Sequence, residues 1–393
     1  MEKQTKTVRT SQKISDAYGA LNMPVYNSAA YGFPSAKAMA DAFVGRTDSP
    51  TYSRVSNPTV AYFEERVAQL SGAKHVFAFN SGMAAISCTL FALAASGKNI
   101  VTSAHLFGNT VSLLTNTLGR FGVETRFVDL LDSEAVANAI DDNTACVFLE
   151  IITNPQLEVV DVQSLSSITK KRNIPLVADT TIIPFTQFSA EALGVDIEVL
   201  SSTKYISGGA TTLGGLVLDY GNFPQLYRYM KFELLYNIGS YMTPQVAFMQ
   251  TLGLETLDMR YRTQANNALE LARRLKQVPE IRDVNYVGLS DNVFHTLAKA
   301  QFGGTFGAML TIDLEDKQHA FAFIDNLKLI SRATNLFDSK SLAIHPASTI
   351  FGAFAGSQRR AMNVRDNTVR LSIGLEDVKD LYDDIVQAVK GSI

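Results

Sequence analysis

Lys204 stands among hydroxyl and glycine residues, Ser201-Ser202-Thr203-Lys204-Tyr205-Ile206-Ser207-Gly208-Gly209, directly after an apolar stretch ending at Leu200. Burial and nearby positive charge lower a lysine's pKa, and the neutral amine then forms Schiff bases with carbonyl groups. Ser201 and Thr203 offer hydroxyls to a phosphate, and glycines let backbone approach one closely. The plainer alternative is a solvated lysine in a polar loop. Upstream, Leu176-Val177-Ala178 runs into Asp179-Thr180-Thr181. An aspartate there either caps a helix or is the anionic partner of a protonated cofactor ring nitrogen, which lets the ring act as an electron sink.

Further candidates are spread along the chain. Phe79-Asn80-Ser81-Gly82-Met83-Ala84-Ala85-Ile86 reads as a strand-to-helix turn whose free N–H groups and helix dipole make an anion site. Tyr52 and Arg54 are two residues apart, so in an extended segment both project to one side and suit one phosphate, unless Arg54 is simply a surface arginine. Arg370 lies inside the apolar run Val369-Arg370-Leu371-Ser372-Ile373 and needs an anion, either a structural acid or a substrate carboxylate. The five histidines are scattered, and His345 reads most simply as a turn residue. No GxGxxG follows the first strand and no Walker A sequence occurs, so dinucleotide and nucleoside triphosphate sites have no support.

These residues need a scaffold. At 393 residues two domains, or a large domain with a smaller one, are expected. Charged residues at 19% and apolar ones at 46% fit an ordinary globular chain, and a net charge of -3 gives no reason to expect nucleic acid or an anionic membrane as partner. Cys88 and Cys146 lie far apart without histidine ligand spacing, against a disulfide framework or zinc site. The first residues carry no apolar signal region and Met83 to Ala95 is too short to span a bilayer, so a cytoplasmic location is expected.

Residues 1–56 lack periodicity and are expected to be an irregular arm that packs on something, such as a neighbouring subunit. From Pro58 a helix is expected, with Gly72 as its stop. Short apolar runs then alternate with helical stretches: 76–79, 100–101, 125–128, 146–149, 176–178, 197–200 and 215–218. Such runs predict a mostly parallel sheet buried on both faces, an α/β domain over 57–255. Over 256–393 a long helix (257–278), strands at 309–312 and 369–373 and a final amphipathic helix predict a smaller α+β domain. Ligands of open parallel sheets sit at the strands' carboxyl ends, where Asp179 and Lys204 fall.

Together the motifs resemble the Cys/Met-metabolism family of pyridoxal 5′-phosphate (PLP) enzymes, which has the PLP-dependent transferase fold of aspartate-aminotransferase type. The resemblance runs in order from about Tyr52 to Val389. It includes Tyr52-Ser-Arg54, Ser81-Gly-Met-Ala-Ala-Ile86, Glu150 with Asn154-Pro155, Asp179-Thr-Thr, Ser201-Ser-Thr-Lys204-Tyr and Val369-Arg-Leu-Ser-Ile-Gly-Leu-Glu376. It implies that Lys204 carries the cofactor and later shuttles a proton. Asp179 would pair with the ring nitrogen and Phe107 would stack on the ring. Ser81, Gly82, Met83, Ser201 and Thr203 would hold the phosphate, and Tyr52 and Arg54 would reach the phosphate of a neighbouring subunit in a homo-oligomer, a dimer of dimers. Asn154, Asn335 and Arg370 would bind substrate.

Departures from the family pattern bear on the reaction. Most members carry Tyr where Phe107 stands, and cystathionine synthases and lyases carry Glu at the place of Asn335. The stretch Asn335-Leu-Phe-Asp-Ser-Lys-Ser-Leu342 is similar to O-acetylhomoserine sulfhydrylases, although Ile350-Phe351 replaces that branch's Thr-His and Gly209 a usual His. The implied reaction is γ-replacement on O-acetylhomoserine with sulfide or methanethiol. The alternatives are a γ-lyase acting on methionine or cystathionine, and an inactive relative that binds partners.

Overall fold

A computed structural model describes residues 3–9 and 16–392. Seven strands form the main sheet: β1 (His75–Phe79), β2 (Asn99–Thr102), β3 (Glu124–Phe127), β4 (Thr144–Glu150), β5 (Leu176–Asp179), β6 (Ile197–Leu200) and β7 (Gly215–Asp219). Each predicted run is present, its ends within two residues of those expected. Their order is β1-β7-β6-β5-β4-β2-β3. The neighbours from β3 through β6 pair parallel, and β7 runs antiparallel to both β6 and β1. The physical reason is the connection: no helix separates β6 from β7, so the chain folds back rather than crossing over.

Burial on both faces explains the unbroken apolar runs. Cys146 and Phe148 of β4 join one hydrophobic cluster while Val147 and Leu149 join the other, and β5 divides Val177 from Leu176 and Ala178 in the same way. Each Val, Leu or Phe among them removed from water contributes about 1.5–3 kcal/mol before the entropy of ordering it. Both cysteines are buried and unpaired, their thiols pushed up by burial to about 11 (Cys88) and about 12 (Cys146), so neither is a nucleophile. No cluster of potential metal ligands occurs among the described residues.

Helices cover the sheet. The predicted helix at Pro58 spans Pro58–Ser71, with the Asn57 side chain accepting the N–H of Thr59 and Gly72 ending it at φ 82. After the long helix Leu257–Leu275 comes a second sheet: β8 (Asp283–Asn285), β9 (Met309–Asp313), β10 (Ser331–Arg332), β11 (Leu342–Ile344) and β12 (Thr368–Ser372), ordered β10-β11-β12-β9-β8. The amphipathic helix Val378–Lys390 buries Leu381, Ile385 and Val389. One apolar cluster runs from Leu149 and Leu176 of the first sheet through to Leu310 and Leu371 of the second, so the two units share a core.

The amino-terminal arm is less irregular than its sequence suggests. Lys3–Val8 and Ala36–Phe43 are helices, the latter built from strong helix formers and capped by Ser35, whose hydroxyl accepts the N–H of Ala38. The first docks on this chain itself: Gln4 donates to the carbonyl of Glu255, and Arg66 donates to that of Thr7. Residues 1–2 and 10–15 of the arm lie outside the described residues. No helix among the described residues is long and apolar enough to cross a membrane.

Candidate active site

The carboxyl ends of the parallel strands open into a cavity of about 290 Å³. β4 ends there in Glu150, β5 in Asp179, and the turns after β1 and β6 bring Ser81 and Lys204. The second sheet closes the other side with Arg370 of β12 and with Asn335.

Lys204 follows β6 in a tight turn, its N–H donating to Ser201 O at 3.2 Å. Its neighbour Tyr205 anchors that turn. The Tyr205 ring stacks on Phe337 (4.1 Å, 7°), and its hydroxyl accepts the N–H of Ala308 at 3.0 Å. Burial, then the Arg370 charge, bring the Lys204 amine down to about 8 against the opposing pull of Asp179. Nζ donates to Asn335 Oδ1 at 2.6 Å. The solvated-lysine alternative is thereby removed.

Asp179 caps no helix. Its Oδ1 accepts the N–H of Thr181 at 2.9 Å, and burial raises its proton affinity while the Thr181 donors and Lys204 lower it. Arg370 is 3% exposed. It donates to Asn154 Oδ1 at 3.0 Å and to Asn335 O at 3.2 Å, and its Nε has no partner. Among the described residues no acid forms an ion pair with it, and burial brings it down to about 9. A buried guanidinium in that state is a ready receptor for an anion. His345 is a turn residue, its carbonyl accepting the N–H of Ser348, and its buried ring is held by Ser348 Oγ and Asp366 O.

At the opposite end, the helix Gly82–Leu93 begins with Ser81, whose hydroxyl accepts the N–H of Ala84 at 3.1 Å. The first N–H groups of a helix have no acceptor within it and carry the positive end of its dipole. A Cβ on Gly82 would stand 2.7 Å from Ser201 Cβ, so only glycine lets the helix start and the Ser201 turn meet. This makes an anion cradle whose floor is backbone. Thr203 lines the cavity, but its hydroxyl is engaged with the N–H and carbonyl of Gly214.

Phe107 and Met83 also line the cavity. Tyr52 and Arg54 do not: the segment is a turn rather than extended, closed by Val55 N–H to Tyr52 O. The two side chains still lie together, the guanidinium 5.5 Å from the Tyr52 ring centroid, and Arg54 donates to Tyr236 O. The sequence reading gives no role to Glu150, Thr181, Leu213, Leu336 or Ile350, all of which line the cavity. Only Glu150 carried a signal, as the acid that ends an apolar strand.

A lysine with a lowered pKa, a carboxylate beside it, a backbone anion cradle and an unpaired guanidinium fit PLP and an amino-acid carboxylate together. The sequence pattern described as Cys/Met metabolism PLP-dependent enzyme matches residues 4–390. The chain belongs to this family, and its cofactor is pyridoxal phosphate. It is 32% identical to an O-acetyl-L-homoserine sulfhydrylase of Corynebacterium glutamicum, over 97% of this chain and 95% of that one. It is 34% identical to an L-methionine gamma-lyase of Fusobacterium nucleatum, over 96% and 95%. A solved Campylobacter jejuni protein assigned as an O-acetylhomoserine (thiol)-lyase superposes with a TM-score of 0.95 at 32% identity, covering 99% of this chain and 100% of its own. That structure carries N′-pyridoxyl-lysine-5′-monophosphate. The protein is thus a PLP-dependent enzyme of sulfur amino-acid metabolism, of transferase or lyase type.

Proposed function

We propose that the chain catalyses γ-replacement on O-acetylhomoserine, with hydrosulfide or methanethiol taking the place of acetate to give homocysteine or methionine. The observation that carries this reading is the cavity's poverty in proton donors. Among the described residues lining it there is one lysine and no histidine, tyrosine or cysteine. A histidine or tyrosine acid is worth typically ~10²–10⁴-fold, so a wall of this chain that offers neither, with Phe107 among its lining, favours a leaving group that needs little protonation. Acetate qualifies, its conjugate acid being a carboxylic acid with a pKa near ~4; the thiolate released from methionine does not. Among the described residues of this chain, Arg370 and Lys204 are the only cations in the lining, so an acyl group with a second carboxylate finds no further partner on this chain.

When bound, the cofactor supplies an aldehyde to amines and a ring that accepts the electron pair left at Cα. Lys204 would hold it and, once released by the substrate amine, would take the Cα proton on Nζ. Asp179 would hold a proton on the ring nitrogen, and Phe107 would offer the ring an apolar face. Gly82, Met83, Ser81, Ser201 and Thr203 would hold the phosphate. Arg370 and Asn154 take the substrate carboxylate, and the Asn335 amide, uncharged, offers no counter-ion to the ammonium of an amino-acid nucleophile such as cysteine.

A second reading, γ-elimination, is supported by the likeness to L-methionine gamma-lyase. Incubation with O-acetylhomoserine, with and without sulfide or methanethiol, separates them. The expected products are homocysteine or methionine with acetate, at a kcat/KM well above that for cleavage of methionine or cystathionine. Equal rates of 2-oxobutanoate release from methionine or cystathionine would sink the replacement reading.

A further inference from the structure

Glu150 takes no part in the roles above, yet it is the best-connected acid in the cavity wall. It ends β4 in register with Asp179 of β5 and is 6% exposed. Its Oε1 accepts the N–H of Phe107 at 2.6 Å and its Oε2 accepts the N–H of Asn154 at 3.2 Å. Among the described residues no lysine, arginine or histidine forms an ion pair with it. Burial and the neighbouring Asp179 charge raise its proton affinity well above the carboxylate range, while the two N–H groups oppose them.

An acid buried without a counter-ion costs stability, and an apolar side chain would suit the flanking strands better. What the carboxylate provides is a junction. Phe107 is the N-cap residue of the short helix Gly108–Ser112, and its own N–H is taken by Glu150. Asn154 lies in the turn after β4, and its side chain in turn meets Arg370. The two segments follow different strands, β2 and β4, and meet on one carboxylate.

We infer that Glu150 is a positioning residue that holds the ring of Phe107 and the amide of Asn154 in one register, coupling cofactor seating to substrate-carboxylate binding. Glu150→Gln in the full chain tests this. Glutamine keeps the size and one acceptor oxygen but turns an NH2 toward one of the two N–H donors, so at most one bond survives. The apoprotein is titrated with PLP by visible absorbance, the circular dichroism of the bound cofactor is recorded, and butanoate is titrated into the holoprotein. Because one buried backbone N–H is left without its acceptor, the dissociation constants for PLP and butanoate should each rise roughly tenfold. The visible dichroic band should fall, with far-ultraviolet dichroism unchanged.

A brace that only supports the fold would lower the apoprotein Tm and leave both constants and the band as in the parent; that result overturns the inference. Should Glu150→Gln fail to fold, Glu150→Asp serves. The carboxyl group is kept but one methylene is lost, so it reaches one donor and should weaken one ligand more than the other; parental affinity for both overturns the inference equally. These are binding measurements, so they stand apart from which reaction the enzyme performs.

Discussion

With its amine held near 8, about half of Lys204 carries no proton at pH 8, where an ordinary lysine near ~10.4 is less than about 1% neutral. Reductive methylation of the apoprotein at pH 8 should therefore modify Lys204 well ahead of the exposed lysines, and its rate should level off above that pH while theirs keep rising. Peptide mass mapping over a pH series checks this. A Lys204 profile that follows the exposed lysines would mean the amine is not desolvated. The same chemistry with PLP and borohydride should place the pyridoxyl label on Lys204 and on no other lysine.

The loop carrying Phe107 and the turn carrying Asn154 are joined at a second point. His105 Nδ1 lies 2.6 Å from Glu158 Oε2, both side chains being mostly buried. The hydrogen bond to Glu158 chiefly raises the His105 pKa above its ordinary 6.5, against burial. A histidine whose folded pKa is raised binds protons more tightly when folded, so its stabilisation is complete below about 6.5 and fades as pH rises through the folded value. Glu158→Gln should therefore cost more stability at pH 6 than at pH 9, by ~1 kcal/mol. Urea unfolding at the two pH values measures the difference, and an equal cost at both would show that the imidazolium contributes nothing there.

Tyr52 is 45% exposed and, with Arg54, stays outside the cavity of its own chain. An aromatic ring and a cation held together at the surface, in an arm that also exposes Tyr18, Leu21 and Phe43, suit a neighbouring copy's phosphate. On that reading Arg54→Ala and Lys204→Ala are each inactive as pure oligomers. Mixed and reassembled, they should regain a fraction of the parental activity, because one site in the hybrid draws both intact residues from different chains. No recovery despite demonstrated subunit exchange would confine each site to one chain.

Much of the framework was legible in the sequence, because strands buried on both faces need continuous apolar runs and the residues that follow them fall at one edge of the sheet. Lys204, Asp179 and Ser81 could be picked out on that ground alone, as could the helix between Asn57 and Gly72. The direction of β7 was not legible, since an antiparallel strand buried on both faces has the same composition as a parallel one. No local pattern brought Asn154, Asn335 and Arg370 together, which only the family resemblance implied, and nothing pointed to the junction at Glu150; both join segments far apart in sequence. Phe337 is the sharpest case. It takes φ 57, a left-handed conformation that costs a bulky residue about 1–2 kcal/mol. No local preference asks for it. Its ring stacks on Tyr205 and its N–H donates to Ser372 Oγ. Short-range pattern decided which segments become strands and helices; long-range packing decided which side chains share the cavity and which backbone strain is tolerated to put them there.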